Sequence, residues 1–305
     1  MLDGGRFSGV FTPVITPFKR TLEVDTKRLI RQCSWLLQQH VGIALFGTNS
    51  EANSLSVEEK IDLLDELVAA GIQPSRLMPG TGHCALPDTV KLTRHAADLG
   101  CGGTLMLPPF YYKGVSDEGL YRSYAEIIER TGNDRLQIYL YHIPPVSQVG
   151  LSLQLIERLI SAYPQTIAGI KDSSGDWENT KALLVAGWDN FRVFAGSEVF
   201  LLQTMRSGGA GCISATANIN PAAIHALYRN WRSPEADSMH RQLVTLRETV
   251  QAFPMIPALK CIVAHFSHDP GWLRVRPPLI QLSDEQHKSL IDKLGALRFG
   301  LDDLA

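Results

Sequence analysis

Thr166-Ile167-Ala168-Gly169-Ile170-Lys171-Asp172-Ser173-Ser174-Gly175-Asp176 is the stretch that decides the fold. Its first five residues form an apolar run without polar alternation, the pattern of a parallel strand covered on both faces. A lysine closes the run, and a polar, glycine-containing segment leads to Asp176, a residue suited to cap a helix. Strand, polar turn and helix make one βα unit, and the same grammar repeats on both sides at intervals of ~25–35 residues.

Working outward gives eight predicted strands: Gly9–Ile15, Ile43–Phe46, Arg76–Gly80, Gly103–Leu107, Leu136–Tyr141, Ile167–Ile170, Arg192–Ala195 and Gly211–Ser214. Eight such units predict an α/β fold, a (β/α)₈ TIM barrel. Helix signals fall between them. Ser56 with Glu59 makes a capping box, Asp88 and Asp176 sit where N-caps belong, Asn220-Pro221 supplies a cap followed by proline, and Gly71, Gly100 and Gly187 close helices. The predicted helix over 57–70 puts Ile61, Leu64, Leu67 and Val68 on one face, a core stripe. After residue 225 the alternation stops, and helices are expected over 234–252, 255–266 and 283–297. The chain therefore divides into a barrel, 1–225, and a C-terminal helical extension packed on it, 226–305, with no low-complexity linker to make the extension independent.

Composition narrows the function classes. With 305 residues, 45% hydrophobic and 20% charged, the chain is of the globular type and is neither disordered nor fibrous. Lys+Arg 29 against Asp+Glu 31 leaves a formal charge of -2 and no basic stripe to track a phosphate backbone, so nucleic acid is not an expected partner. Five scattered cysteines without CxxC spacing suggest neither a disulfide framework nor a zinc site and fit a reducing cytoplasm. The first residues lack an apolar signal core, and no apolar run approaches the roughly 18 residues of a membrane span. A cytoplasmic protein without membrane contact is expected.

Barrel enzymes carry their reactive groups at the carboxyl ends of the strands. Three strand ends here are polar: Gly47-Thr48-Asn49-Ser50-Glu51, Tyr141-His142 and Lys171. Lys171 would project into a constricted barrel mouth, where desolvation favours the neutral, nucleophilic amine. A rim lysine paired with Asp172 is the competing reading, and position alone does not choose between them. Tyr141 on the adjacent strand can serve an imine as proton donor and acceptor, with Thr48 relaying the proton. Singly, a strand-end tyrosine also suits packing and a Gly-Thr pair also suits a turn. His142, next to Tyr141 and on the opposite side by alternation, is expected to be a buried, hydrogen-bonded histidine. His83-Cys84 reads as cavity lining without a metal, and Cys212 as a small buried hydrophobe.

With these residues in place, the chain resembles the dihydrodipicolinate synthase / N-acetylneuraminate lyase family of pyruvate-dependent class I aldolases over nearly its whole length. The markers are Gly47-Thr48-Asn49-Ser50-Glu51 against the family's GTTGE, Gly80-Thr81-Gly82, Pro109-Phe110-Tyr111-Tyr112 with Ser116-Asp117-Glu118-Gly119-Leu120, Tyr141-His142-Ile143-Pro144 against YNxP, and Gly169-Ile170-Lys171. The resemblance implies that Lys171 forms an imine with pyruvate or another 2-oxo acid, that Tyr141 shuttles protons beside Thr48, and that the backbone amides of Thr48 and Asn49 hold the pyruvate carboxylate. It implies that Tyr112 crosses a dimer interface to complete a neighbour's relay, that the Ile213 carbonyl lines the imine site, and that the protein is a homo-oligomer, usually a tetramer of tight dimers. No metal or organic cofactor is expected.

Departures matter as much. Asn49 and Ser50 replace a threonine and a glycine of the motif, and serine tolerates a positive φ less well than glycine. Val146 stands where dihydrodipicolinate synthases carry an arginine for the second substrate's carboxylate, leaving no guanidinium there. Pro144-Pro145-Val146-Ser147 looks more like the sialic-acid and 2-keto-3-deoxy sugar-acid branches, in which Ser173, Ser197 and Glu198 would face a hydroxyl-bearing tail. The two serines suit helix capping equally well. Three functions compete: reversible aldol cleavage, or dehydration, of a 2-keto-3-deoxy sugar acid; dihydrodipicolinate synthesis from pyruvate and aspartate semialdehyde, with Arg274 or Arg276 replacing the lost arginine; and pyruvate binding without turnover, motivated by Asn49-Ser50.

Overall fold

The computed structural model describes residues 2–3 and 5–301. Seven parallel strands, Gly9–Thr12, Gly42–Ile43, Thr104–Met106, Ile138–His142, Ile167–Asp172, Arg192–Ala195 and Gly211–Ile213, form one curved sheet. Its edges, Gly42–Ile43 and Thr104–Met106, are joined through residues 77–81. The Met78 and Gly80 N–H groups donate to Ile43 and Leu45 (2.8 and 2.7 Å), and the Pro79 carbonyl and Thr81 N–H bond with Leu105 (2.9 and 3.0 Å). That segment is the predicted third strand. Pro79 has no N–H to give, so its ladder is interrupted while the barrel still closes. Gly9–Thr12, Gly42–Ile43, Thr104–Met106 and Gly211–Ile213 are shorter than their predicted runs, Arg192–Ala195 matches its run, and Ile138–His142 and Ile167–Asp172 continue past the predicted ends to His142 and Asp172.

The barrel interior is filled rather than hollow. Phe7, Phe11, Tyr139 and Phe194 pack at ring separations of 4.7 to 5.9 Å, and the Tyr139 hydroxyl accepts the Phe7 N–H at 2.7 Å. These rings close the space beneath the mouth.

The helices follow their caps. Ser56 and Glu59 complete a capping box, and Asp176 accepts from the Glu178 N–H. Gly71, Gly100 and Gly187 adopt positive φ after helix ends. Asp88 does not cap: the helix starts earlier, at Leu86, with Pro87 in its first turn, and Asp88 lies inside that turn, where its charge still faces the positive helix end. Asn220 occupies its cap position without a side-chain bond.

Residue 225 lies within the helix Pro221–Asn230, which packs against Gly9–Thr12 and completes the barrel's outer ring. Beyond it, Ala236–Gln251, Met255–Phe266 and Asp284–Ala296 share a core with Ile15, Ala215 and Ile219 of the barrel. No single helix among the described residues is long and apolar enough to cross a membrane.

Candidate active site

A register irregularity aims Lys171. Ile138 pairs with Ile167, but the next pair is Tyr139 with Gly169, so the lysine strand carries one extra residue. Without it, alternation from the outward Ile167 would turn residue 171 outward. With it, Tyr139 faces Gly169, Tyr141 faces Lys171, and Lys171 also pairs with the inward Phe194. Gly169 is needed at the crossing: a Cβ there would lie 2.2 Å from the Arg192 carbonyl oxygen and 2.9 Å from the Tyr139 ring.

Lys171 is 2% exposed, with Nζ 4.2 Å from the Tyr141 ring centroid. It makes no salt bridge to Asp172. That carboxylate points to the other side of the strand and takes its bonds from the Ser174 N–H (2.9 Å), the Ser174 hydroxyl (3.2 Å) and Thr180 Oγ1 (2.6 Å). The rim-salt-bridge reading is therefore excluded by geometry. The Tyr141 hydroxyl lies 3.1 Å from Thr48 Oγ1, so three strand ends bring amine, phenol and alcohol to one place.

They open into a cavity of about 570 Å³ whose wall includes Thr48, Asn49, Tyr141, Val146, Lys171, Ser173 and Ser197. Thr48–Ser50 forms a single 3₁₀ turn, whose first amides have no partner inside the turn and are free to meet an anion. Ser50 is not the strained residue of this loop. The left-handed conformation falls on Glu51 (φ 55, ψ 37), so replacing the motif glycine by Ser50 costs no positive φ.

Glu51 is held there by a buried ion pair with Lys260, while its other oxygen accepts the Arg276 N–H at 3.0 Å; Lys260 also donates to the Arg274 carbonyl at 2.7 Å. The extension thus pins the end of the Thr48–Ser50 turn. Glu51→Ala leaves a buried ammonium uncompensated and is expected to lower stability in urea unfolding by about 3–5 kcal/mol. Adding Lys260→Met should recover most of that loss. A single variant as stable as the wild type would contradict the pinning role.

Of the other expected site residues, Tyr112, Ile213 and Glu198 stand apart from the wall. Tyr112 is 73% exposed, in edge contact with Tyr111 at 5.3 Å, on a surface loop. Ile213 is buried among the interior side chains. Glu198 is buried rather than facing a substrate tail: Ser214 and Thr216 hydroxyls donate to its two carboxylate oxygens and draw it behind the wall. Ser197 both lines the cavity and caps the following turn, accepting from the Val199 N–H at 3.3 Å. Ser173 only lines it, since Asp176 caps the next helix. His142 is buried, accepts the Leu151 N–H on Nδ1 at 3.0 Å, and burial holds its pKa below the ordinary value against the opposing pull of Asp172. His83 does not line the cavity; its Nε2 is 3.1 Å from the buried Lys60 ammonium. Burial raises the Cys212 thiol well above its ordinary pKa.

Sequence reasoning missed Arg247 and Gln251. Both stand in the wall, from the helix Ala236–Gln251, together with 254–257 from the turn that follows. The only signal available was their i, i+4 spacing on a helix otherwise read as packing. Arg274 and Arg276 lie elsewhere: Arg276 pairs with Glu59, and Arg274 bonds to the Phe18 and Gly271 carbonyls.

The model of the dihydrodipicolinate synthetase family matches residues 6–297. A protein of Chloroflexus aurantiacus described as an uncharacterized DapA-like lyase is 31% identical over 285 residues, covering 92% of this chain and 94% of its own. The 4-hydroxy-tetrahydrodipicolinate synthase of Bacillus subtilis is 28% identical, covering 95% of this chain and 99% of its own. Among solved structures, the dihydrodipicolinate synthase of Agrobacterium tumefaciens superposes with a TM-score of 0.88 at 32% identity, over 95% of this chain and 99% of that one.

Proposed function

Since the chain belongs to the dihydrodipicolinate synthetase family, whose members are pyruvate-dependent class I lyases, we propose that it makes or breaks a carbon–carbon or carbon–oxygen bond next to a pyruvate imine on Lys171. The observation that carries this reading is the Thr48–Tyr141 hydroxyl contact beside a buried lysine free of any carboxylate partner.

In the cleavage direction, the Lys171 amine adds to C2 of the 2-oxo acid, and the carbinolamine loses water as Tyr141 supplies the proton. Tyr141, in contact with Thr48, then takes the C4 hydroxyl proton as the C3–C4 bond breaks, and its electron pair moves into the protonated imine. The aldehyde leaves, an enamine remains, and protonation at C3 followed by hydrolysis releases pyruvate. The Thr48 and Asn49 amides are suited to the substrate carboxylate at the open end of their turn. Val146, 61% exposed at the mouth, supplies no cation, while Ser173 and Ser197 offer hydroxyls. These features favour a 2-keto-3-deoxy sugar acid, cleaved or dehydrated, as substrate.

The names of the relatives favour a second reading, synthesis of 4-hydroxy-tetrahydrodipicolinate from pyruvate and aspartate semialdehyde. Pyruvate release from a panel of 2-keto-3-deoxy sugar acids, run beside pyruvate consumption with aspartate semialdehyde, separates the two. Turnover of the sugar acids alone supports the first; turnover of aspartate semialdehyde alone overturns it; pyruvate binding without any turnover overturns both.

We also propose a homo-oligomer in which Tyr112, exposed and outside its own cavity, serves a neighbouring copy. Light scattering is expected to give the mass of a dimer or tetramer; a monomer that retains full activity would contradict it.

A further inference from the structure

We propose that Arg247 binds a carboxylate at the far end of the substrate, so that the 2-keto-3-deoxy sugar acid is a diacid, with a second carboxylate where a simple sugar acid ends in a hydroxyl group. The proposal rests on the imine at Lys171 and adds the chemistry of the opposite end.

Among the described residues of the cavity wall, Lys171 and Arg247 are the two cations. Arg247 is 14% exposed, and its orientation is set from behind: Nε donates to Gln251 Oε1 at 3.1 Å and Nη1 to Ser214 Oγ at 3.4 Å. Nη1 also forms an ion pair with the buried Glu198 at 3.6 Å, a carboxylate whose two oxygens accept from Ser214 and Thr216. Nη2, with two N–H donors, has no partner among the described residues, and Nη1 keeps an N–H beside it. That is the edge a carboxylate engages with two parallel bonds.

Ser173, Ser197 and Gln251 suffice for a neutral hydroxyl tail, whereas the unpartnered Nη2 beside the Glu198 pair suits a charge-assisted bond to a carboxylate. The position also suits the far end of a substrate. Arg247 contacts Ser214, which follows the strand Gly211–Ile213, two strands round from Lys171, or about 10 Å along the rim at ordinary strand spacing. Val146 therefore marks a relocated cation rather than a lost one.

The test uses imine trapping with borohydride and needs no turnover. 2-Oxoglutarate, 2-oxoadipate and 2-oxopimelate are compared with 2-oxopentanoate, 2-oxohexanoate and 2-oxoheptanoate, which match them in length but lack the second carboxylate. The best diacid should half-saturate Lys171 at a concentration about ten- to a hundredfold below its partner, the range for one charge-assisted contact. Arg247→Met should erase that ratio and Arg247→Lys should keep part of it. The ratio is taken within each variant, so a general effect on imine formation cancels, and the pyruvate adduct reports an intact barrel. Equal binding of diacids and monoacids, or a preference surviving Arg247→Met, overturns the assignment while leaving the imine standing. No pyruvate adduct in the wild type overturns the imine itself, and this assignment with it.

Discussion

Lys171→Met is expected to abolish turnover, lowering kcat on the order of 10⁶-fold, the scale seen when a covalent nucleophile is removed from an enzyme that depends on it. Methionine has a similar length and no charge, so the packing against Tyr141 and Phe194 survives. Removing an ammonium that has no carboxylate partner from a site 2% exposed should leave stability equal or higher. No second lysine stands in the cavity wall among the described residues to take its place. Steady-state kinetics with a thermal melt checks both parts. A melting temperature near that of the wild type with activity gone assigns chemistry to the amine, whereas substantial residual turnover contradicts covalent catalysis.

Tyr141→Phe should have the next largest effect, a loss of about 10²- to 10⁴-fold in kcat, as for a general acid–base group. The ring that covers the Lys171 ammonium at 4.2 Å is retained, and only the hydroxyl that meets Thr48 at 3.1 Å is deleted. The KM for pyruvate should therefore move far less than kcat, and the imine should still be trapped, only more slowly. Thr48→Val removes the partner and not the phenol, and should cost about tenfold. A Tyr141→Phe variant within a few-fold of wild type would mean that the protons travel by another route.

The sequence made the barrel legible because parallel strands buried on both faces read as unbroken apolar runs, and strand ends mark the reactive side. Lys171, Tyr141 and Thr48 were found that way. The extra residue that turns Lys171 inward was not visible, since a bulge leaves no mark in hydropathy and appears only in the pairing of Tyr139 with Gly169. Glu198 sits at a strand end and still faces away from the cavity, because two neighbouring hydroxyls satisfy it from behind. Arg247 was missed for the converse reason. It comes from a helix whose apolar periodicity reports only the face packed on the barrel, and nothing in that pattern tells which polar residue reaches over the rim. The same gap explains why the loss of arginine at Val146 looked like the loss of a cation from the whole site.

Lys171 is proposed as the amine that carries the substrate. Incubating the protein with pyruvate and sodium borohydride, then mapping the product by peptide mass spectrometry, tests it most directly. One reduced pyruvate adduct per chain is expected, on Lys171 and absent from Lys171→Met. An unmodified Lys171, or an adduct on another lysine at equal yield, would contradict it.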